Sequence, residues 1–129
     1  MNIDLLKARL PERISRLAEL SANLWWSWHL PAREMFDKID RRWWRISGHN
    51  PVRMLEEIES SRLEYLAGDA EFLKMYDAVM AALDMEMGDS GRTWAAGQHA
   101  GPIKGPVAYF SMEFAVHNSL PMYAGGLGV

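Results

Sequence analysis

The strongest constraint in this sequence is one apolar stripe at helical spacing. Phe72, Leu73, Tyr76, Val79, Met80, Leu83 and Met87 recur at intervals of one, three and four residues. A stripe of that period buries itself only as one face of a helix with other elements laid against it. Asp69 stands before it as an N-cap and Gly88 after it as a C-cap stop.

The elements to cover that face are found upstream. From Pro11 to about Trp28, Ile14, Leu17, Leu24, Trp25 and Trp28 fall on one stripe with the small residues Ala18 and Ser21, which predicts a single amphipathic helix. In that reading Trp25 and Trp28 join Phe72, Tyr76 and Leu83 in the core. Trp26 points elsewhere, as a candidate contact with another domain or a stacked sugar. Leu30-Pro31 interrupts the pattern, and Ala32 to Ile39 resumes it as a short second helix, making a helical hairpin. Ser47-Gly48-His49 reads as a stop, followed by Asn50 as N-cap and Pro51 as the first residue of a further helix with Val52, Leu55 and Ile58 inward. Ser60 to Leu66 adds another turn or two. Residues 1–88 are thus expected to be an all-helical unit.

Composition closes off several functions. With 17 acidic against 14 basic residues the chain has a net charge of −3, which disfavours a general nucleic-acid binder; Arg41-Arg42-Trp43-Trp44-Arg45 is one short basic run in an acidic chain. There is no cysteine, so thiol nucleophiles, disulfides and thiolate metal sites are excluded. His29, His49, His99 and His117 are scattered, without metal-ligand spacing. The N-terminus intersperses charges with apolar residues, unlike a signal peptide, and no apolar run approaches the ~20 residues a membrane span requires. A cytoplasmic protein without membrane or nucleic-acid partners is expected.

Beyond Gly88 the character changes. Residues 89–105 are rich in Gly and small polar residues around Trp94 and have no period, as a linker would. Val107-Ala108-Tyr109-Phe110-Ser111-Met112 is a short apolar run of β-formers, a candidate buried strand that opens a segment over 106–129. Glu113 follows it, and Gly125-Gly126-Leu127-Gly128 comes shortly after. Glycines so placed let a backbone approach a phosphate or a sugar and aim N–H groups at it, although the same residues also make a flexible turn. A first strand and first loop cannot close a sheet by themselves, so this segment reads as the start of a larger domain.

Two stretches carry a family resemblance. Ala108-Tyr109-Phe110-Ser111-Met112-Glu113-Phe114, followed by Ser119-Leu120-Pro121-Met122-Tyr123-Ala124-Gly125-Gly126-Leu127-Gly128-Val129, resembles the start of the first Rossmann-like domain of bacterial α-glucan (glycogen, starch, maltodextrin) phosphorylases. Upstream, Leu17-Ala18-Glu19-Leu20-Ser21-Ala22-Asn23-Leu24-Trp25-Trp26-Ser27-Trp28-His29, with Gly48-His49-Asn50-Pro51-Val52-Arg53, resembles the helical segment that precedes that domain in one branch of the family. The resemblance implies a mainly α chain: an N-terminal helical unit, then the first strand and glycine loop of an incomplete GT-B (Rossmann-like) α/β domain.

It also implies phosphorolysis of terminal α-1,4-glucosidic bonds to glucose 1-phosphate, with pyridoxal phosphate held on a lysine of a C-terminal domain. By motif position, Gly125 and Gly126 would turn N–H groups toward the cofactor and substrate phosphates. Leu127 would border the glucosyl site, Gly128 would complete the loop, and Glu113 would support it. Glucan and phosphate are then the ligands of the full-length enzyme, with a second copy of the chain a candidate partner. No catalytic residue falls within these 129 residues, so the chain by itself is expected to be inactive and to hold no cofactor. Two other readings compete: a free-standing helical carbohydrate-binding or oligomerisation module, and a fragment of a nucleotide-sugar glycogen or starch synthase. Synthases carry a lysine two residues before the glycine pair, where this chain has Tyr123.

Overall fold

The computed structural model describes residues 3–88, together with the single positions 105 and 108. The chain divides into two units, Met1–Gly88 and Asp89–Val129. The linker, the strand over Val107 to Met112 and the glycine loop expected from the sequence lie outside the described residues.

The first unit is helical, and no strand occurs among the described residues. Its helices are α1 (Ile3–Arg9), α2 (Leu17–Ala22), α3 (Leu30–Ile39), α4 (Arg41–Ile46), α5 (Pro51–Glu57), α6 (Ser60–Gly68) and α7 (Ala70–Met87), with 3-10 turns at Glu12–Ile14 and Leu24–Ser27. All but α7 are short, so the stability of each comes from its packing and not from its own propensity. Helix α3 lies against α4, α6 and α7, α2 bridges α1 and α5, and α6 folds back on α7. The core at their centre contains Ile14, Leu17, Leu20, Met35, Phe36, Ile39, Met54, Leu55, Leu63, Val79 and Leu83, all essentially removed from solvent.

Helix α7 has the limits its stripe requires: Asp69 accepts the Glu71 N–H, and Phe72, Tyr76, Val79, Met80 and Leu83 are buried. Met87 departs from the stripe and is exposed at the helix end. Gly88 ends the helix by a different device from a left-handed C-cap. Its φ of −67° is open to any residue, but a Cβ there would stand 2.8 Å from the carbonyl oxygen of Asp84. Glycine serves the close approach, while the Gly88 N–H bonds that same oxygen at 2.8 Å. Among the described residues the left-handed positions are instead Gly48 (φ 67°) and His49 (φ 60°), in the turn between α4 and α5.

The single helix expected from Pro11 to Trp28 is broken into three pieces. Asn23 adopts an extended conformation (φ −97°, ψ 114°), and its side-chain oxygen takes the N–H of Trp25 at 3.0 Å. A short amide side chain that offers the backbone a local partner competes with helix continuation. The chain then resumes as a 3-10 turn in a new phase, which reverses the tryptophans. Trp26 is the buried one, at 5% exposure, and Trp28 stands 66% exposed. Trp25 is only partly buried, packed at the edge of the core. The second helix begins at Leu30, two residues earlier than the sequence suggests, because Pro31 occupies the first turn, where a missing N–H costs no hydrogen bond.

Candidate functional site

The residues singled out for phosphate and glucosyl contacts, Gly125, Gly126, Leu127, Gly128 and Glu113, lie outside the described residues. Of that set the helical unit carries Trp26, and the outward contact expected of it is corrected by its position. Its indole meets Phe36 edge-on at 5.7 Å and Trp44 at 5.8 Å, while Phe36 and Trp44 stack at 5.7 Å and 17°. These three rings are a core cluster and present no platform to a ligand.

The surface aromatic site is the turn just beyond. Trp25 stacks on His29, ring centroids 4.2 Å apart and planes 20° from parallel. The Trp25 carbonyl accepts N–H bonds from both Trp28 and His29, so the turn is held by its own backbone. Nδ1 of His29 accepts the Ala32 N–H at 3.3 Å and caps α3. In the neutral ring the proton is therefore on Nε2. Asn23 anchors the other side, its amide nitrogen donating to the Met87 sulfur at 3.5 Å. Trp28 and Leu30 extend from this turn into solvent. Sequence periodicity missed Trp28 because it assumed an unbroken helix; the signal available was Asn23, a capping residue immediately before the aromatic run.

Elsewhere the charged groups act structurally. Arg13 forks onto both oxygens of Asp77 at 2.7 Å and lies 5.6 Å from the Tyr76 ring centre. Arg16 joins Asp84 and Glu19. The hydrogen bond that Arg16 donates holds the Asp84 carboxyl below its ordinary range, and the hydrogen bonds that Asp84 and Glu19 accept from it raise the Arg16 guanidinium. Burial raises the Tyr76 phenol, against the opposing pull of Arg16 and Arg13. None of these groups faces a cluster suited to proton transfer, and among the described residues no group of His, Asp or Glu could hold a metal ion. No described helix is long and apolar enough to cross a membrane.

Comparison with known proteins extends beyond the described residues. The chain is 42% identical to the glycogen phosphorylase of Mycobacterium tuberculosis (strain H37Rv) over 96% of its length. It is 34% identical to the maltodextrin phosphorylase of Thermococcus litoralis over 98% of its length, and 32% identical to the glycogen phosphorylase of Aquifex aeolicus over 87%. It spans 15% of the length of each of these relatives. No solved structure matches it. The model of a family described as "Protein of unknown function (DUF3417)" matches residues 10–120. The chain therefore belongs to that family, and over nearly its whole length it is homologous to the N-terminal region of proteins named glycogen or maltodextrin phosphorylase.

Proposed function

We propose that this chain is the N-terminal portion of an α-glucan phosphorylase, an enzyme that uses phosphate to release glucose 1-phosphate from the end of an α-1,4-glucan. The carrying observation is the 42% identity running across 96% of the chain, an alignment too long to rest on the helical unit alone. The relatives' names favour a phosphorylase over a nucleotide-sugar synthase, in agreement with Tyr123 standing where a synthase has lysine.

In this reading residues 1–88 are a helical domain, 89–105 a linker, and 106–129 the first strand and glycine loop of a GT-B domain working in the cytoplasm. Phosphorolysis breaks the bond between C1 of the terminal glucose and the chain oxygen, forms a C1–O bond to phosphate, and returns a proton to the departing oxygen. Gly125 and Gly126 serve that step by backbone N–H groups aimed at phosphate, where a side chain would block the approach. Leu127 borders the glucosyl site, Gly128 completes the loop, and Glu113 shapes it. Pyridoxal phosphate supplies a phosphate group beside the substrate in such an enzyme. The described residues do not fit it, since Lys7, Lys38 and Lys74 are all exposed on helix surfaces. The group belongs to another part of the enzyme.

The test uses two polypeptides. The 129-residue chain given glycogen, phosphate and pyridoxal phosphate produces no glucose 1-phosphate. A longer enzyme containing these residues produces it, and Gly126→Val there lowers turnover by roughly a hundredfold, the loss of about 3 kcal/mol from one preorganised donor, without comparable loss of stability. Product above background from the short chain, or normal turnover in Gly126→Val, refutes the proposal.

A further inference from the structure

Among the described residues, the side chains that accept a backbone N–H at the start of a helix or 3-10 turn are Asn23, Asp40, Asn50 and Asp69, and one of another kind, His29. An amide does not titrate, and a carboxylate keeps its lone pairs on both sides of neutrality. An imidazole changes charge between about pH 5 and 8. Nδ1 of His29 takes the Ala32 N–H at 3.3 Å. The His29 carbonyl takes that same N–H at 3.0 Å and the Arg33 N–H at 3.2 Å, as the carbonyl of a capping residue does. The side chain is therefore one half of the cap, and it works only while Nδ1 carries a lone pair.

The surroundings offer a charged ring no compensation. The first turn of α3 contains no acid, and residues 20–32 contain no Asp, Glu, Lys or Arg. Farther along α3, Asp37 is held by Arg41 and Lys38 by Glu71, while Arg33 and Glu34 stand exposed. On α2 and α7, Glu19 and Asp84 are both held by Arg16, and Glu86 precedes the Met87 that meets Asn23. His29 forms no ion pair with any of them. A proton on Nδ1 sets two N–H donors against each other and adds positive charge at the N-terminal end of a ten-residue helix, where the amide dipoles oppose it. The Trp25 indole, 4.2 Å away and 20° from parallel, attracts a charged ring through its face. That attraction is the same whichever edge of the ring is turned to Ala32, so it keeps the stack without keeping the cap.

We infer that His29 is an acid-released cap: the neutral imidazole holds the first turn of α3, and the imidazolium lets it go. The capped turn carries Trp28 and Leu30, both exposed, while Trp26, Phe36 and Trp44 pack apart from it. The contribution of the side chain is present above the imidazole range and is lost as pH falls through it. The device does not depend on the phosphorylase reading.

The experiment is urea unfolding of the full 129-residue chain and of His29→Asn at about pH 8 and about pH 5, on either side of that range. Asparagine caps without titrating, and every other group is common to the two proteins, so the ratio of their unfolding constants reports His29 alone. The ratio should change by about fivefold between the two conditions, with the parent losing ground in acid, as the loss of one side-chain cap requires. His49→Gln, made in both proteins to remove the other described imidazole, should leave that change in place. Native-state amide exchange, corrected for the intrinsic rate at each pH, should show Ala32 less protected in acid in the parent and equally protected at both values in His29→Asn. The inference is overturned if the ratio is the same at both pH values or shifts the other way, or if His49→Gln abolishes the change. It is also overturned if Ala32 loses as much protection in acid in His29→Asn as in the parent.

Discussion

Phe36 packs against both buried tryptophans of the unit. It is fully buried, stacked on Trp44 and edge-on to Trp26, so its removal leaves two large rings facing a void. Phe36→Ala should cost about 3–5 kcal/mol. Against a typical domain stability of about 5–15 kcal/mol that is a large share. Urea denaturation followed by tryptophan fluorescence measures it, and a loss below about 1 kcal/mol would mean that the aromatic cluster is not a closed core. The identity of these residues was legible beforehand as apolar and aromatic. Which tryptophan belonged to the cluster was not, because the choice between Trp26 and Trp28 turns on the phase of the backbone after Asn23, a matter of one residue.

At the scale of elements, helix ends are settled by side chains of opposite kinds. Asn23, His29, Asp40, Asn50 and Asp69 each accept a backbone N–H at the start of a helix or 3-10 turn. Asn50 takes the Arg53 N–H at 3.1 Å. Asn50→Ala should lower stability by about 1 kcal/mol, while Asn50→Asp, which keeps an acceptor, should restore most of it. Thermal denaturation of the pair checks this, and equal melting temperatures for Asn50→Ala and the parent would contradict the capping role. Carbonyls at two helix ends are met by arginines from elsewhere. Arg9 donates to the carbonyls of Leu55 and Ile58 at the end of α5, and Arg62 to those of Ile39, at 2.9 Å, and Lys38, at 3.2 Å, at the end of α3. Asn50 and Asp69 were readable as N-caps because they act within three residues and precede clear apolar runs; Asn23, His29 and Asp40 were not read as caps. The arginine caps were not readable either, since Arg9 reaches its carbonyls across 46 and 49 residues of chain.

Across the helical unit, two ion pairs tie the start of the chain to α7. Arg13 and Asp77 are 64 residues apart in sequence, and Arg16 and Asp84 are 68. Both pairs are exposed, so neither contributes much by itself. Their pH dependence has a definite sign. The Asp84 carboxyl is depressed by Arg16, so its contribution is fully present above the ordinary carboxylate range and is lost as pH falls through the depressed value. Asp84→Asn removes it at every pH. The melting temperatures of parent and variant should therefore differ at neutral pH and converge in acid below the usual carboxylate range. A gap that is constant, or that widens in acid, would exclude this linkage.

Local chemistry was sufficient to establish a helical unit, the limits of α7, the cap and proline that open α5, and the family resemblance that the relatives bear out. Each of these is decided by residues a few positions apart, where spacing and capping act without reference to the rest of the chain. Tertiary structure decided the break at Asn23, the helix at Arg41–Ile46 that the basic run disguised, and the extended exit at Gly88. It also decided the exchange of Trp26 and Trp28 between core and surface. Helices this short have little preference of their own, so the lowest free energy goes to whichever phase lets the largest rings meet inside, and that is a property of the whole packed set.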